Sequence, residues 1–390
     1  MTIDWHNIVD GESSTPAIDA PLKEKATLVG RIGFMMLSVG TGAWRVRASM
    51  NKIARGLNIT CNADIGLLSI EYTCVDGSET FTNAISLSNT GINTHRLSEI
   101  EDFADNFADT AKKYSTEQIH MILDKFQSMP GNYNAWKLGL ASGAACCAFT
   151  FLLGGGIIEM IGALFGAGVG NFVRKKLLER HITLLANVAV GVAAACTVYV
   201  AFIKLAELLF GVPAFHQAGY ICSMLFIIPG FPLITGGIDL AKLDLRSGLE
   251  RTTYALLIIL TATATGWATA MVYRFSPGDF EPLSLDPVLH GVFIAMASFV
   301  GVFGFSLMFN SPVKMAATAG LIGVVANTLR LELIEITGLP AGAAAFIGAL
   351  SSGLLASAMK RKVGFPRITL TVPSIVIMVP GMYMYKGVYL

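Results

Sequence analysis

Charge-free runs dictate what this chain can become. Crossing a hydrocarbon core about 30 Å thick takes roughly 20 largely apolar residues at 1.5 Å rise each. Nine windows between charged residues reach or approach that length: 138–158, 160–173, 183–203, 208–238, 252–273, 287–313, 315–329, 336–359 and 368–385. The second and seventh are the short ones, at 14 and 15 residues. The chain is 53% hydrophobic and 14% charged, where a soluble protein carries about 25% charge. Residues 1–134 hold 27 of the 55 charged side chains in a chain of 390, so a polar head precedes a membrane body.

Basic clusters orient the body. Arg174, Lys175, Lys176 and Arg180 follow the second window, Lys242, Arg246 and Arg251 the fourth, and Lys360, Arg361, Lys362 and Arg367 the eighth. These loops fall on one side, which the positive-inside rule places in the cytoplasm together with the head. The acidic start, MTIDWHNIVDGESSTPAIDAPLKEK, has no apolar core of a signal peptide. A net charge of +1 without a basic stripe excludes nucleic acid as a partner. Six cysteines without C-x-x-C spacing supply no metal site and read as small buried apolar groups.

The windows repeat. Asn171-Phe172-Val173-Arg174 ends the second and Asn327-Thr328-Leu329-Arg330 the seventh. Ile228-Pro229-Gly230 lies in the fourth and Val379-Pro380-Gly381 in the ninth, 58 and 53 residues beyond those asparagines. An offset of five spans inverts the second copy, the arrangement of many secondary transporters. A Pro-Gly pair inside a span frees backbone groups that are tolerated only beside protein or a polar cavity. Two such breaks therefore point to a site at the midplane, the competing reading being simple packing kinks.

Ionisable side chains within spans are costly and are functional candidates. Glu159 interrupts the apolar sequence near the outer end of the second span. Asp239 follows the first break in PGFPLITGGID, where it either lines the inner half of a pathway or sits at the cytoplasmic interface beside Lys242. Gly162, Gly166 and Gly170 form a close-packing seam within the chain or between copies, which leaves a homo-oligomer open.

The head reads as a small α+β domain over 23–134, behind a disordered tail at 1–22. A helical pattern over 23–57 is interrupted at Gly40 and Gly42, and Leu68, Ile70, Tyr72 and Cys74 alternate with mostly polar neighbours. Asp76-Gly77 supplies a hairpin turn before a strand over 79–87. Ser98 with Glu101, and Ser115 with Gln118, have capping-box spacing. His95 and Asn93, in TGINTHRL, either contact a ligand or fix that loop, and His120 reads as surface. The head has no P-loop, G-x-S-x-G or H-E-x-x-H, so neither catalytic residues nor a cofactor are expected.

MMLSVGTGAWRV, TGINTHRL, GGGIIEMIGA, IIPGFPLITGGID and TVPSIVIMVPG together resemble the threonine/serine exporter family, which includes two-component dicarboxylate exporters. The resemblance covers nearly the whole chain. It implies a cytoplasmic N-terminal domain, two five-span membrane halves (here 135–275 and 287–390), and efflux driven by the proton-motive force across the inner membrane. It places Pro229, Gly230, Pro232 and Asp239 in the first break, Pro380 and Gly381 in the second, Glu159 at the acidic opening of the second span, and Asn93 with His95 in the head loop. Nine spans are visible, and the tenth that the resemblance implies is missing before Leu390. The expected partners are the bilayer and a small substrate: threonine or serine, with a dicarboxylate such as succinate as the alternative. A membrane-anchored enzyme or sensor working through the head is the third reading.

Overall fold

The computed structural model describes residues 4–6, 15–211, 216, 219–275, 280 and 285–379. They form two compact units: Met1–Gly131 with Phe231–Tyr254, and Asn132–Gly230 with Ala255–Leu390.

The first unit begins with a single turn at Ala17–Asp19, then α1 (Leu22–Ser38) and α2 (Ala43–Gly56). Strands β1 (Thr60–Ile65), β2 (Ser69–Asp76) and β3 (Glu79–Ser86) form an antiparallel meander, followed by α3 (Thr94–Asp105), α4 (Phe107–Lys113) and α5 (Thr116–Gln127). Alternation puts Ile65, Ile70, Tyr72 and Ile85 on the buried face of the sheet. The long helical pattern divides because Gly40 adopts φ +83°, a conformation that glycine takes at little cost. A side chain there would also meet the Gly91 carbonyl at 2.7 Å. Part of the expected tail is packed rather than loose: Ala17 is fully buried, and Trp5 meets Phe34 edge-to-face at 5.9 Å.

Two local expectations need correction. Ser98 lies inside α3, whose N-cap is Asn93. The box at Ser115 and Gln118 does open α5, so spacing alone did not distinguish a true cap from a mid-helix coincidence. His120 is fully buried, because its position on α5 faces α1, where Arg31 Nη1 lies 3.0 Å from its Nδ1.

The second unit is helical: α6 (Ala135–Leu152), α7 (Ile157–Glu179), α8 (Leu184–Phe210), the short α9 (Gly219–Ser223), α12 (Pro287–Met308), α13 (Val313–Thr337), α14 (Ala341–Val363) and α15 (Arg367–Val376). Between α9 and α12 come α10 (Gly230–Ala241) and α11 (Leu245–Tyr273), whose residues 231–254 belong to the first unit. Seven of these helices are long and apolar enough to cross a membrane, and an eighth crossing arises if the bent segment Gly219–Ala241 counts as one span. The protein is a polytopic membrane protein.

The windows mark the crossings but not their ends. Charged residues extend a helix into the interface at little cost, because long side chains snorkel. The 14-residue second window accordingly becomes the 23-residue α7, and the third, which ended at Ile203, continues through Lys204 and Glu207 to Phe210. The fourth window is no single rod. Its first residues finish α8, and the remainder divides at Pro229. Of the ninth, α15 and the following turn to Val379 are described, whereas Pro380 and Gly381 lie outside the described residues.

The glycine seam packs within the chain. Side chains at 162, 166 and 170 would run into the Tyr199 ring, the Ala195 carbonyl and the Gly191 carbonyl of α8 at 2.6–2.8 Å. On the adjoining face of α7, Ile161, Phe165, Val169 and Phe172 are exposed. That apolar stripe is suited to lipid.

Candidate functional site

Within the second unit, Glu159 sits in the first turn of α7 and is only 5% exposed. His216 Nδ1 shares a 2.6 Å hydrogen bond with its Oε1, and Tyr199 of α8 donates its hydroxyl to the His216 carbonyl at 2.7 Å. Glu159 Oε2 is buried and has no hydrogen-bond partner among the described residues. Gly219, which opens α9, closes the cluster: a side chain there would strike the Tyr199 ring and lie 2.9 Å from Glu159 Cβ. Placing a carboxyl at a helix N-terminus offsets part of its burial cost. The chemistry available is that of a carboxyl and an imidazole passing a proton, with one carboxyl oxygen open to a further donor.

The interruption follows α9 in the chain. A single 3-10 turn over Leu225–Ile227 ends in extended backbone at Ile228, and α10 starts at Gly230, bent 60° from the preceding helix. Pro232 is tolerated because the first turn of a helix lacks acceptors for its N–H groups in any case. A side chain at Gly230 would meet Val376 of α15 at 2.7 Å. The first break therefore abuts the helix that leads, four residues later, to Pro380.

Both signature asparagines tie neighbouring helices together. Asn171 donates to the Leu138 carbonyl of α6 at 3.0 Å, and Asn327 donates to Ser298 Oγ of α12 at 2.8 Å. Each therefore links the second helix of its sequence repeat to the first. Ser352 and Ser374 share a fully buried 2.5 Å hydrogen bond between α14 and α15.

Asp239 belongs to the first unit and is fully buried. Its Oδ2 accepts from the Ala43 backbone N–H (3.0 Å), from Ser247 Oγ (3.0 Å), and from Arg251 Nε in an ion pair at 3.2 Å. Arg251, 2% exposed, also donates to the Gly40 carbonyl. Asp239 Oδ1, Arg251 Nη2 and Thr41 Oγ1 are buried there without partners among the described residues. Around this centre Arg47 holds Asp244 through two hydrogen bonds, Arg246 pairs with Asp64, and Glu250 accepts from the Leu67 N–H. Trp44 lies between Arg45 and Lys242, each under 5 Å from its ring centroid. The α10–α11 corner is thus gripped at several points by α2 and the β1–β2 turn.

In the head, Asn93 caps α3 by accepting from the Arg96 N–H, and His95 Nε2 lies 3.9 Å from Glu99. Gly91 and Asn93 also donate to the Ser38 and Val39 carbonyls at the end of α1. This loop is sewn to the α1–α2 junction.

A second polar cluster in the head escaped the sequence reading. Fully buried Arg31 hydrogen-bonds Asp124 and Gln127, and His6 bridges Glu117 (2.7 Å) and Asp124 (2.8 Å). Burial, the Arg31 charge and His6 push His120 down to about 3. Burial opposes charging of His6, but its hydrogen bonds to Asp124 and Glu117 outweigh that and raise it above its ordinary value. Burial likewise disfavours charge on Asp124, yet its bonds to Arg31 and His6 hold it below the usual carboxylate range.

The signs differ. A depressed histidine leaves the unfolded chain with the extra proton between about 3 and 6.5, so the His120 contribution is complete above 6.5 and is lost as pH falls. The Asp124 contribution is also lost on acidification, at lower pH, whereas that of His6 is present in acid and lost as pH rises through its raised value. Below pH 6.5 the His120 effect should dominate. Amide exchange in α1 and α5, corrected for intrinsic rates, is expected to lose protection by up to about tenfold per pH unit. His120→Gln should flatten that slope, and a wild-type protein without it would refute the assignment.

Comparison with known proteins identifies the family. A family model described as "Putative threonine/serine exporter" matches residues 27–273, and a second, "Threonine/Serine exporter, ThrE", matches 294–390. A "Probable threonine/serine exporter" of Mycobacterium tuberculosis is 22% identical over 95% of this chain and 70% of its own length. Proteins named "Probable succinate transporter subunit YjjP" are 26% identical in Klebsiella aerogenes, over 60% of this chain and 88% of that protein, and 25% identical in Escherichia coli K12, over 61% and 90%. No solved structure matches. With family models spanning both the head-containing portion and the later helices, the chain belongs to the threonine/serine exporter family and is a membrane transporter, not an enzyme.

Proposed function

We propose that this protein exports a small polar metabolite, threonine or serine, from the cytoplasm across the inner membrane, in exchange for protons. The observation that carries the reading is the interrupted span at Pro229–Gly230 seated on α15 at Val376. Two inverted halves, each with one broken helix, would bring both Pro-Gly segments to one polar pocket. The matched Asn171 and Asn327 tethers support that symmetry. The N-terminus of α10 offers positive dipole to the substrate carboxylate, and carbonyls freed at the breaks receive its ammonium.

With the head cytoplasmic, α7 starts on the outer side. Glu159 and His216 then face the compartment from which protons enter. Protonation of the pair from outside, and its loss inside after a change of access, couples proton entry to efflux. Asp239 and Arg251 stand on the inner side, where Asp239 holds the corner that follows the broken helix.

Purified protein in liposomes should catalyse counterflow of labelled threonine or serine. Replacing both Pro229-Gly230 and Pro380-Gly381 with Ala-Leu should abolish it, and unchanged counterflow in that variant would remove the basis of the proposal. A dicarboxylate is the second reading. The YjjP relatives carry succinate in their names, and Arg174 and Arg330 recur three residues after the paired asparagines, so two cations stand at matched positions. Counterflow with labelled succinate and not threonine would favour it.

A further inference from the structure

Cys61 and Cys74 are directly opposite on β1 and β2. The strand turn fixes what kind of pair they make. Gly66 N–H donates to the Ser69 carbonyl at 2.8 Å, so 66 and 69 are a hydrogen-bonded pair, and bonded and non-bonded pairs alternate outward from it. Counting back through Ile65–Ile70, Asp64–Glu71, Ala63–Tyr72 and Asn62–Thr73 makes Cys61–Cys74 a non-hydrogen-bonded pair. Such pairs have Cα atoms about 4.5 Å apart and side chains drawn together, within the separation a disulfide requires. Cys61 is partly exposed, and Cys74 is fully buried. Both are free thiols.

We infer that Cys61 and Cys74 are a reversible thiol–disulfide site in the head, oxidised by low-molecular-weight disulfides. The accessible Cys61 attacks as thiolate. It displaces one thiol from the incoming disulfide and leaves a mixed disulfide on Cys61. Cys74 then loses its proton and attacks the Cys61 sulfur, expelling the second thiol. Two protein thiols and one small disulfide become one protein disulfide and two small thiols.

The neighbouring Cys74 thiol holds Cys61 below the ordinary thiol range, while Cys61 and burial raise Cys74. This matches an attacking and a resolving cysteine. Of the other cysteines, Cys146, Cys196 and Cys222 are fully buried in the second unit and Cys147 lies on the transmembrane α6. None of them shares this geometry. The bond would staple the hairpin whose turn receives Glu250 and whose Asp64 receives Arg246.

The test uses the full-length protein in detergent with glutathione disulfide, followed by alkylation and peptide mapping. The expected product is a majority species in which the Cys61 and Cys74 peptides are cross-linked, the mass is lower by two hydrogens, and dithiothreitol restores both thiols. Cys74→Ser should stop at a glutathione adduct on Cys61, and hydrogen exchange over β1 and β2 should slow on oxidation of the wild type alone. Wild-type protein that halts at the adduct, or keeps both cysteines alkylatable, would overturn the inference without recourse to any variant.

Discussion

Glu159→Gln is expected to abolish concentrative efflux while sparing exchange. Glutamine keeps the shape of the side chain and an acceptor for His216 Nδ1 but cannot take up a proton. Under the proposed mechanism the proton gradient acts through this group. A ligand shifts an equilibrium only by its differential affinity for the two states. With that affinity gone, liposomes with an imposed pH gradient should reach only equal threonine concentrations inside and out. Counterflow, which needs no net proton movement, should stay within about threefold of wild type, a change of under ~1 kcal/mol in the barrier.

His216→Ala removes the partner at 2.6 Å and should weaken coupling less severely, because the Glu159 carboxyl remains in place. Gly219→Val should impair both modes, since its side chain would be driven against Tyr199 and Glu159. Uphill accumulation by the Glu159→Gln variant would remove Glu159 from the coupling step.

What could be read from residues alone follows a physical line. Burying a charge is so costly that charge-free runs must mark crossings, and a Pro-Gly pair must interrupt a ladder, so the body and its first break were legible. The β2–β3 hairpin was legible because one buried face imposes alternation, and Asp76-Gly77 supplies the turn. Helix ends were not, because charges at an interface are tolerated. His216 was not, because nothing in its sequence neighbourhood links it to Glu159, 57 residues earlier. His120 and Arg31 escaped because a polar residue on an amphipathic helix looks exposed until its partner on another helix is known. The incorporation of residues 231–254 into the first unit was likewise invisible. Arg246 and Glu250 resemble ordinary loop charges, and only tertiary structure pairs them with Asp64 and Leu67.

Breaking the Asp239–Arg251 pair should be the most destructive single change in the first unit. Both side chains are at most 2% exposed, so removing one leaves an uncompensated charge away from water. That typically costs about 3–5 kcal/mol. Arg251→Met should therefore expose α2, α10 and the start of α11 to rapid amide exchange, and Asp239→Leu should cost at least as much because the Ala43 N–H and Ser247 hydroxyl lose their acceptor as well. The double variant should recover much of the loss, since an apolar pair of similar volume removes both desolvation penalties. Additive effects would show that the pair contributes no net coupling.

Thr41→Val separates structure from ligand. Its hydroxyl is buried without a partner among the described residues, so in a purely structural site the change should be neutral or stabilising by up to ~1 kcal/mol. A loss of threonine counterflow in a Thr41→Val protein of undiminished stability would instead assign the open atoms of Thr41, Asp239 and Arg251 to the transported solute, whereas full counterflow would confine all three to holding the corner.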